Sequence, residues 1–316
     1  MRTALIVLLL MPTLSEAQPR TADPTARGLK DTDFPRVVKI ADNVYGYEDF
    51  HPSPDKMTTV SMWVVTSEGV LLADGQADPA KTQKLLDAIA KTTDEPLKYY
   101  VVGSDHGDHT GGNSVLPAGV TMIAHPTSKA VLEKSASAPN RKPDAPKVVV
   151  PNEVLQGDKK VITPGGTEIQ VLFLGRAHTG GDLHVYLPKQ KILFMSEAYL
   201  NRVFPAMRSA YPSEWVAVLD KALKMDVQTY VPGHGFVEES KASREELENY
   251  RKAVVAVIAE VKRLHAAGVP VEDAITQANF GEYEHWKLHG SQRPIAVRKI
   301  YEELDGKLPR PTAEQR

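Results

Sequence analysis

The chain has 316 residues, 42% of them hydrophobic and 25% charged, which is enough to bury a full core and excludes a wholly disordered, collagenous or fibrous protein. With 38 Lys and Arg against 40 Asp and Glu the formal charge is −2, so no cationic excess advertises nucleic acid or an anionic lipid surface. Cysteine is absent. Disulfides, thiol nucleophiles, iron–sulfur clusters and thiolate metal sites are therefore excluded, and any bound metal must use His and carboxylate ligands.

Residues 1–17 read as a secretory signal. Arg2 supplies the positive charge, residues 4–11 (ALIVLLLM) the apolar run, and Ser15 and Ala17 the small residues before Gln18. The run is too short to span a bilayer. The expectation is a periplasmic or secreted protein with no stable membrane insertion after cleavage. Residues 18–36 are rich in Pro, Asp, Thr and Arg without an apolar period and predict a leader or linker.

Strands are predicted at residues 37–40 and 44–47 around an Asp42-Asn43 turn, then at 59–66 and 70–73. Asp78-Pro79 predicts a helix start, with Leu85, Leu86 and Ile89 on its inner face through about Lys91. Strands at 99–102 and 121–124 and a helix from about Thr127 follow. The second half repeats this rhythm, with strands at 148–150, 160–162, 168–174, 183–187 and 191–195. Ser213 predicts a helix cap, and residues 229–231 a last short strand. Two such halves with outer helices predict a layered α/β sandwich. Residues 237–316 form a helical extension. Ser243 and Glu246 match a capping box, and Leu247, Tyr250, Val254, Ile258, Val261 and Leu264 mark an apolar stripe ending before Gly268. Two further helices are expected near 271–278 and 291–304.

The chemistry concentrates in loops after strands. Residues 104–112 (SDHGDHTGG) place His106, Asp108 and His109 within four positions, beside glycines that let the backbone turn tightly. Neutral imidazole and carboxylate are the ligands that a cysteine-free zinc site needs. His178 and His234 follow, each after a strand and beside glycine. On these residues the chain resembles the metallo-β-lactamase superfamily over residues 37–236. His106, Asp108 and His109 match three positions of the central His-x-His-x-Asp-His motif, His178 and His234 its two later histidines, and Asp74 its structural aspartate. The resemblance implies a four-layer αβ/βα sandwich with metal at one edge of the sheets.

Two positions depart from the family pattern. Ser104 stands where the motif has its first His, and Ser196-Glu197 where it has Gly-Asp. The resemblance implies one metal group from positions 104, 106 and 178, and another from Asp108, His109 and His234, with the later acid between them. A serine hydroxyl binds zinc weakly, so one zinc ion is expected, with a second left open through Glu197. The ligand candidates are thus His106, Asp108, His109, His178, Glu197 and His234. Asp108, His178 and Glu197 are the candidates for orienting the nucleophile and moving protons.

The reaction expected is attack by zinc-activated hydroxide on an ester, thioester, lactone or lactam carbonyl of a small molecule. The alternatives are a β-lactamase of the cysteine-free metallo subclass and a non-catalytic metal or ligand binder on a hydrolase scaffold. His125 reads as structural, His184 as a strand residue, and His51 as a loop residue bordering the pocket. Tyr199, Arg202 and Phe204 are expected on a loop facing the metal, and Tyr283, His285 and Trp286 either at the pocket mouth or sealing the extension. From the signal pattern, exported protein should begin near Gln18; intact-mass analysis checks this, and a retained Met1 refutes it.

Overall fold

The structure, a computed structural model, describes residues 19–139, 145–312 and 315. The signal segment lies outside the described residues. The first half of the chain forms β1 (Arg36–Ala41), β2 (Val44–Phe50), β3 (Thr58–Thr66), β4 (Gly69–Ala73), α1 (Pro79–Ala90), β5 (Leu97–Val101), α2 (Gly107–Thr110), β6 (Thr121–Ala124), α3 (Pro126–Ala136) and β7 (Glu153–Val154). The second forms β8 (Lys159–Ile162), β9 (Ile169–Leu172), β10 (His184–Leu187), β11 (Ile192–Leu200), α4 (Pro212–Lys224) and β12 (Thr229–His234). Helices α5 (Ser240–Ala266), α6 (Val271–Gln277) and α7 (His289–Leu304) complete it.

The strands run in the order β7-β6-β5-β4-β3-β12-β11-β10-β9-β8, with β2 also on β3 and β1 on β2. β4 to β7 are parallel neighbours, as are β11 and β12; the intervening helices supply the crossovers. The two halves of the sheet join at one pair of residues, His234 opposite Thr59.

Alternation along the strands then builds three cores. Met62, Val64 and Leu71 meet Val171, Phe194 and Val231 between the two half-sheets. Trp63, Leu72 and Tyr100 pack outward on Leu85 and Ile89 of α1 and Leu132 of α3. Leu193, Met195 and Tyr230 pack outward on Trp215 of α4, Leu247 and Val254 of α5, and Val297 and Ile300 of α7. The layers are helix, sheet, sheet, helix. This is the αβ/βα sandwich that the resemblance implied.

Local expectations fail where a side chain is claimed by a distant partner. Residues 148–150 form no strand; β7 lies just beyond. Asn152 bonds Met122 N and Val120 O along β6, while Val148 and Val149 pack on the outer core. Ser213 caps nothing: α4 follows Tyr211, and Glu303 of α7 accepts from both the Ser213 amide and hydroxyl. Ser243 lies inside α5, where its buried hydroxyl bonds Tyr230 of β12, so the capping box is absent and the helix starts at Ser240.

The stretch read as a leader is packed from its first described residues. Ala22 is buried in the core under α4 to α7, and Arg20 pairs with Glu245 and Glu246 of α5 at 2.6 and 3.0 Å. Arg27 pairs with Glu238 and lies over the Phe236 ring. Apart from Ala22, the anchors of residues 20–27 are arginine stems and charges, so hydrophobic periodicity had nothing to report. A chain beginning at Lys30 should lose about 1–3 kcal/mol, lowering the midpoint by roughly 2–4 °C per kcal/mol. Thermal unfolding of the two proteins checks this, and equal midpoints would show that the segment only decorates the surface.

Candidate metal centre

The candidate donors come from the short helix α2 and its N-cap after β5 (His106, Asp108, His109), the loop after β9 (His178), the middle of β11 (Glu197) and the end of β12 (His234), and Asp74 organises their approach. At the end of β4, with φ of 58°, its buried carboxylate accepts from Gly103 N at 2.7 Å and from the Ser196 hydroxyl at 2.5 Å. The oxygen that accepts from Ser196 also lies 2.9 Å from His109 Nδ1, fixing that ring so that Nε2 points into the site. Two glycines permit this closeness. A Cβ on Gly103 would lie 2.7 Å from Ser196 Cβ, and one on Gly233 would lie 2.5 Å from the Ser196 carbonyl carbon. His234 is oriented from the seam itself, with Nδ1 donating to Thr58 O at 2.8 Å.

The six candidates converge into two groups: Asp108, His109, Glu197 and His234, and His106, His178 and Glu197, with donor atoms within 4.8 Å of one another in each. Glu197 belongs to both. One carboxylate oxygen lies 3.2 Å from His234 Nε2 and 3.1 Å from His178 Nε2, and the other lies 2.8 Å from His106 Nδ1. Asp108 Oδ2 is 3.1 Å from His234 Nε2 and 3.5 Å from His109 Nε2. Ser104 donates at 2.5 Å to Glu197 Oε2, the same oxygen that faces His106. The longer side chain of Glu197 therefore occupies the third place beside His106 and His178, which the reading of Ser104 as a lost ligand had left open.

Charge balance matches a cation-binding site. His109 Nε2 and His234 Nε2 approach to 3.3 Å, and His178 Nε2 and His106 Nδ1 to 3.1 Å, so ring nitrogens face one another around two carboxylates. Burial works against charge on His234, but its hydrogen bonds to Asp108 and Glu197 prevail and push it up to about 10. Burial likewise opposes charge on His109, which Asp74 and Asp108 still raise. Burial and Glu197 would raise Asp108, yet His109 and His234 hold it well below the usual range. This donor set, imidazole and carboxylate with no sulfur, fits zinc.

The groups open into a cavity of about 200 Å³, whose lining also includes His51, Met57, Leu200, Val203, Ala206, Arg208, Leu288, Gln292 and Ile295. His51, half-buried, brings Nε2 to 3.5 Å from Asp108. His125 lies outside both groups. Its Nδ1 caps α3 by accepting from Thr127 N, and its ring stacks on Phe173. The residues after Glu197 do not face the site as expected. Ser196 has φ of 48° and shifts the β11 register, so the alternation breaks. Tyr199 and Phe204 are buried in the helix-side core, and Arg202 pairs with Glu246. Leu200 and Val203 line the cavity instead. Trp286 stacks on Tyr250 and Tyr283 packs beside it, sealing the extension rather than the mouth.

A sequence profile of the metallo-β-lactamase superfamily matches residues 58–234. The chain belongs to that superfamily. With membership comes a hydrolase-type function on a metal-binding fold. Among curated proteins, the chain is 23% identical over 280 residues to the 2,4-dinitroanisole O-demethylase subunit alpha of Nocardioides sp. (strain JS1661), covering 83% of this chain and 79% of that one. It is 23% identical over 211 residues to a type 2 metallo-β-lactamase of Elizabethkingia meningoseptica, covering 65% and 80%. A metallo-β-lactamase from Pontibacter korlensis superposes with a TM-score of 0.60 at 22% identity, over 70% of this chain and 98% of that one. The metallo-β-lactamase IND-7 gives 0.58 at 22% identity, over 70% and 97%. Among the described residues no helix is long and apolar enough to cross a membrane.

Because Glu197 belongs to both groups, Glu197→Ala should weaken zinc binding at both, whereas Asp108→Ala should spare the pair His106 and His178. Each loss should exceed the roughly 10–100-fold that an outer hydrogen-bond partner costs. Zinc content after equilibration at one free-zinc concentration measures this. Wild-type content in Glu197→Ala would exclude the shared ligand.

Proposed function

We propose that this protein is an exported zinc-dependent hydrolase of small molecules. The observation that carries the reading is the pair of donor groups sharing Glu197 at the floor of an open cavity. Export is supported by the charged, apolar and small-residue order of residues 1–17. Asp108, His109 and His234 with Glu197 would hold one ion, and His106 and His178 with Glu197 a second. Zinc, when bound, supplies Lewis acidity, lowering the pKa of water and polarising a carbonyl.

The chain's own residues set the geometry. Asp108 faces the cavity with its carboxylate held ionised between His109 and His234, so it accepts a hydrogen bond from water and fixes its approach. His51 borders Asp108 from the cavity side, placed to carry the water proton to the leaving oxygen. Across an ester, the water oxygen ends on the acyl carbon, the acyl–oxygen bond breaks, and the proton reaches the leaving oxygen. Ser104 holds Glu197 in place through its hydroxyl.

A second reading, attack on an activated aryl ether, is favoured by one observation. The match to the dinitroanisole O-demethylase subunit covers 83% of this chain, so it takes in part of the helical extension, because residues 1–236 make up only about three quarters of the chain. Zinc-loaded protein screened on chromogenic ester, lactone, lactam and nitroaryl ether substrates tests both. Turnover should vanish with chelator and fall more than about 100-fold in Asp108→Ala. Tight zinc binding with no turnover on any class would instead favour a binder on a hydrolase scaffold.

A further inference from the structure

Helix α7 lies far from the donor motifs in sequence, yet one of its faces forms a wall of their cavity. Ser291, Gln292 and Ile295 of α7 line it from one side of the helix, and Leu288, the residue just before the helix, adds to the same lining. The opposite stripe does the packing: Ala296, Val297, Ile300, Tyr301 and Leu304 join the core over α4 and α5. Ile295 packs into none of the three cores and is only half-buried, so its apolar surface is turned to the cavity. Leu288 is half-buried beside it, and Leu200, Val203 and Ala206 continue the apolar surface.

The wall is held in place by backbone pairing. Val203 and Lys287 form a β-bridge, with Phe204 N donating to Lys287 O at 2.9 Å and Lys287 N to Arg202 O at 3.2 Å. Leu288 then turns with φ of 66° and aims α7 along the cavity. The cavity thus has the donor imidazoles and carboxylates on one side and the uncharged residues of α7 with Leu200, Val203 and Ala206 on another, while Asp55 and Arg208 also reach its lining. Its volume, about 200 Å³ with the donor end included, is of the size of an engineered apolar cavity of about 150 Å³ that holds benzene.

We propose that this face of α7 is the substrate-selecting wall, seating a compact apolar group about one aromatic ring in size beside the bond to be broken. The inference takes the position of that bond from the zinc-hydrolase reading, while the seat itself rests on the lining of the cavity. Gln292, whose side chain makes no hydrogen bond among the described residues, supplies a neutral donor and acceptor at its edge.

The test compares phenylacetohydroxamic acid with acetohydroxamic acid, each titrated calorimetrically into zinc-loaded protein. Both carry the same zinc-binding head and differ by one ring. Burying that ring should make the phenyl compound bind about tenfold or more tightly to wild type. Ile295→Glu should bring the ratio close to one with zinc content and thermal midpoint unchanged, and Ile295→Leu should keep it. A ratio near one in wild type, or an undiminished ratio in Ile295→Glu, overturns the proposal. Turnover of phenyl acetate is scored separately. Zinc-dependent turnover with a ratio near one removes the wall and leaves the hydrolase; a tenfold ratio without turnover on any substrate class keeps the wall and removes the hydrolase.

Discussion

The structure turns on the buried carboxylate of Asp74. It gathers the Gly103 amide after β5, the Ser196 hydroxyl on β11 and the ring of His109, groups drawn from both half-sheets. A charge so deeply buried is costly unless its acceptor positions are filled. Filling them brings the ends of β4 and β5 and the middle of β11 to one place, so the requirement to satisfy one carboxylate fixes where the donors meet. The glycines at 103 and 233 follow from the same demand, because any side chain there would push Ser196 away.

The seam between the half-sheets adds the second constraint. β3 and β12 share a single residue pair, and that residue of β12 is His234. Beyond it the sheets diverge and the space between them fills with apolar side chains. At the seam they stay close enough for histidines from both halves to face one another across Glu197. Two carboxylates and four imidazoles, most of them buried, repel or attract strongly at such distances, and a divalent cation is a partner that balances such a set.

What the sequence disclosed and what it hid separate along one line. The motif at His106, Asp108 and His109 was legible because its geometry is local: a single turn of helix presents all three. The layered fold was legible because alternation and helical stripes each report one buried face. Ser104 was visible as a departure, but the partner of its hydroxyl, Glu197, lies 93 residues away, and no pattern encodes that distance. The direction of Tyr199 was misread because it was taken for a loop residue, whereas β11 runs on to Leu200 and buries Tyr199 against the helices. Ser213 and Ser243 carry the right residues for caps, and tertiary partners claimed both hydroxyls. The cavity wall on α7 was hidden for a different reason. Its spacing is ordinary for an amphipathic helix, and only the position of the second stripe shows that it faces a cavity rather than water.

The attachment of α7 has a consequence for motion. Its main packing partners are the helices α4, α5 and α6, it shares their core with strand residues such as Met195 and Tyr230, and the bridge at Val203 and Lys287 fixes its start. The donors, by contrast, are set in the sheets and in Asp74's hydrogen bonds. Wall and floor thus rest on different supports, and any loosening of α7 that leaves the sheets paired would expose the cavity while the ligand frame persists. Amide exchange in α7 would then report how often the cavity stands open, on a clock independent of the unfolding of the sheets.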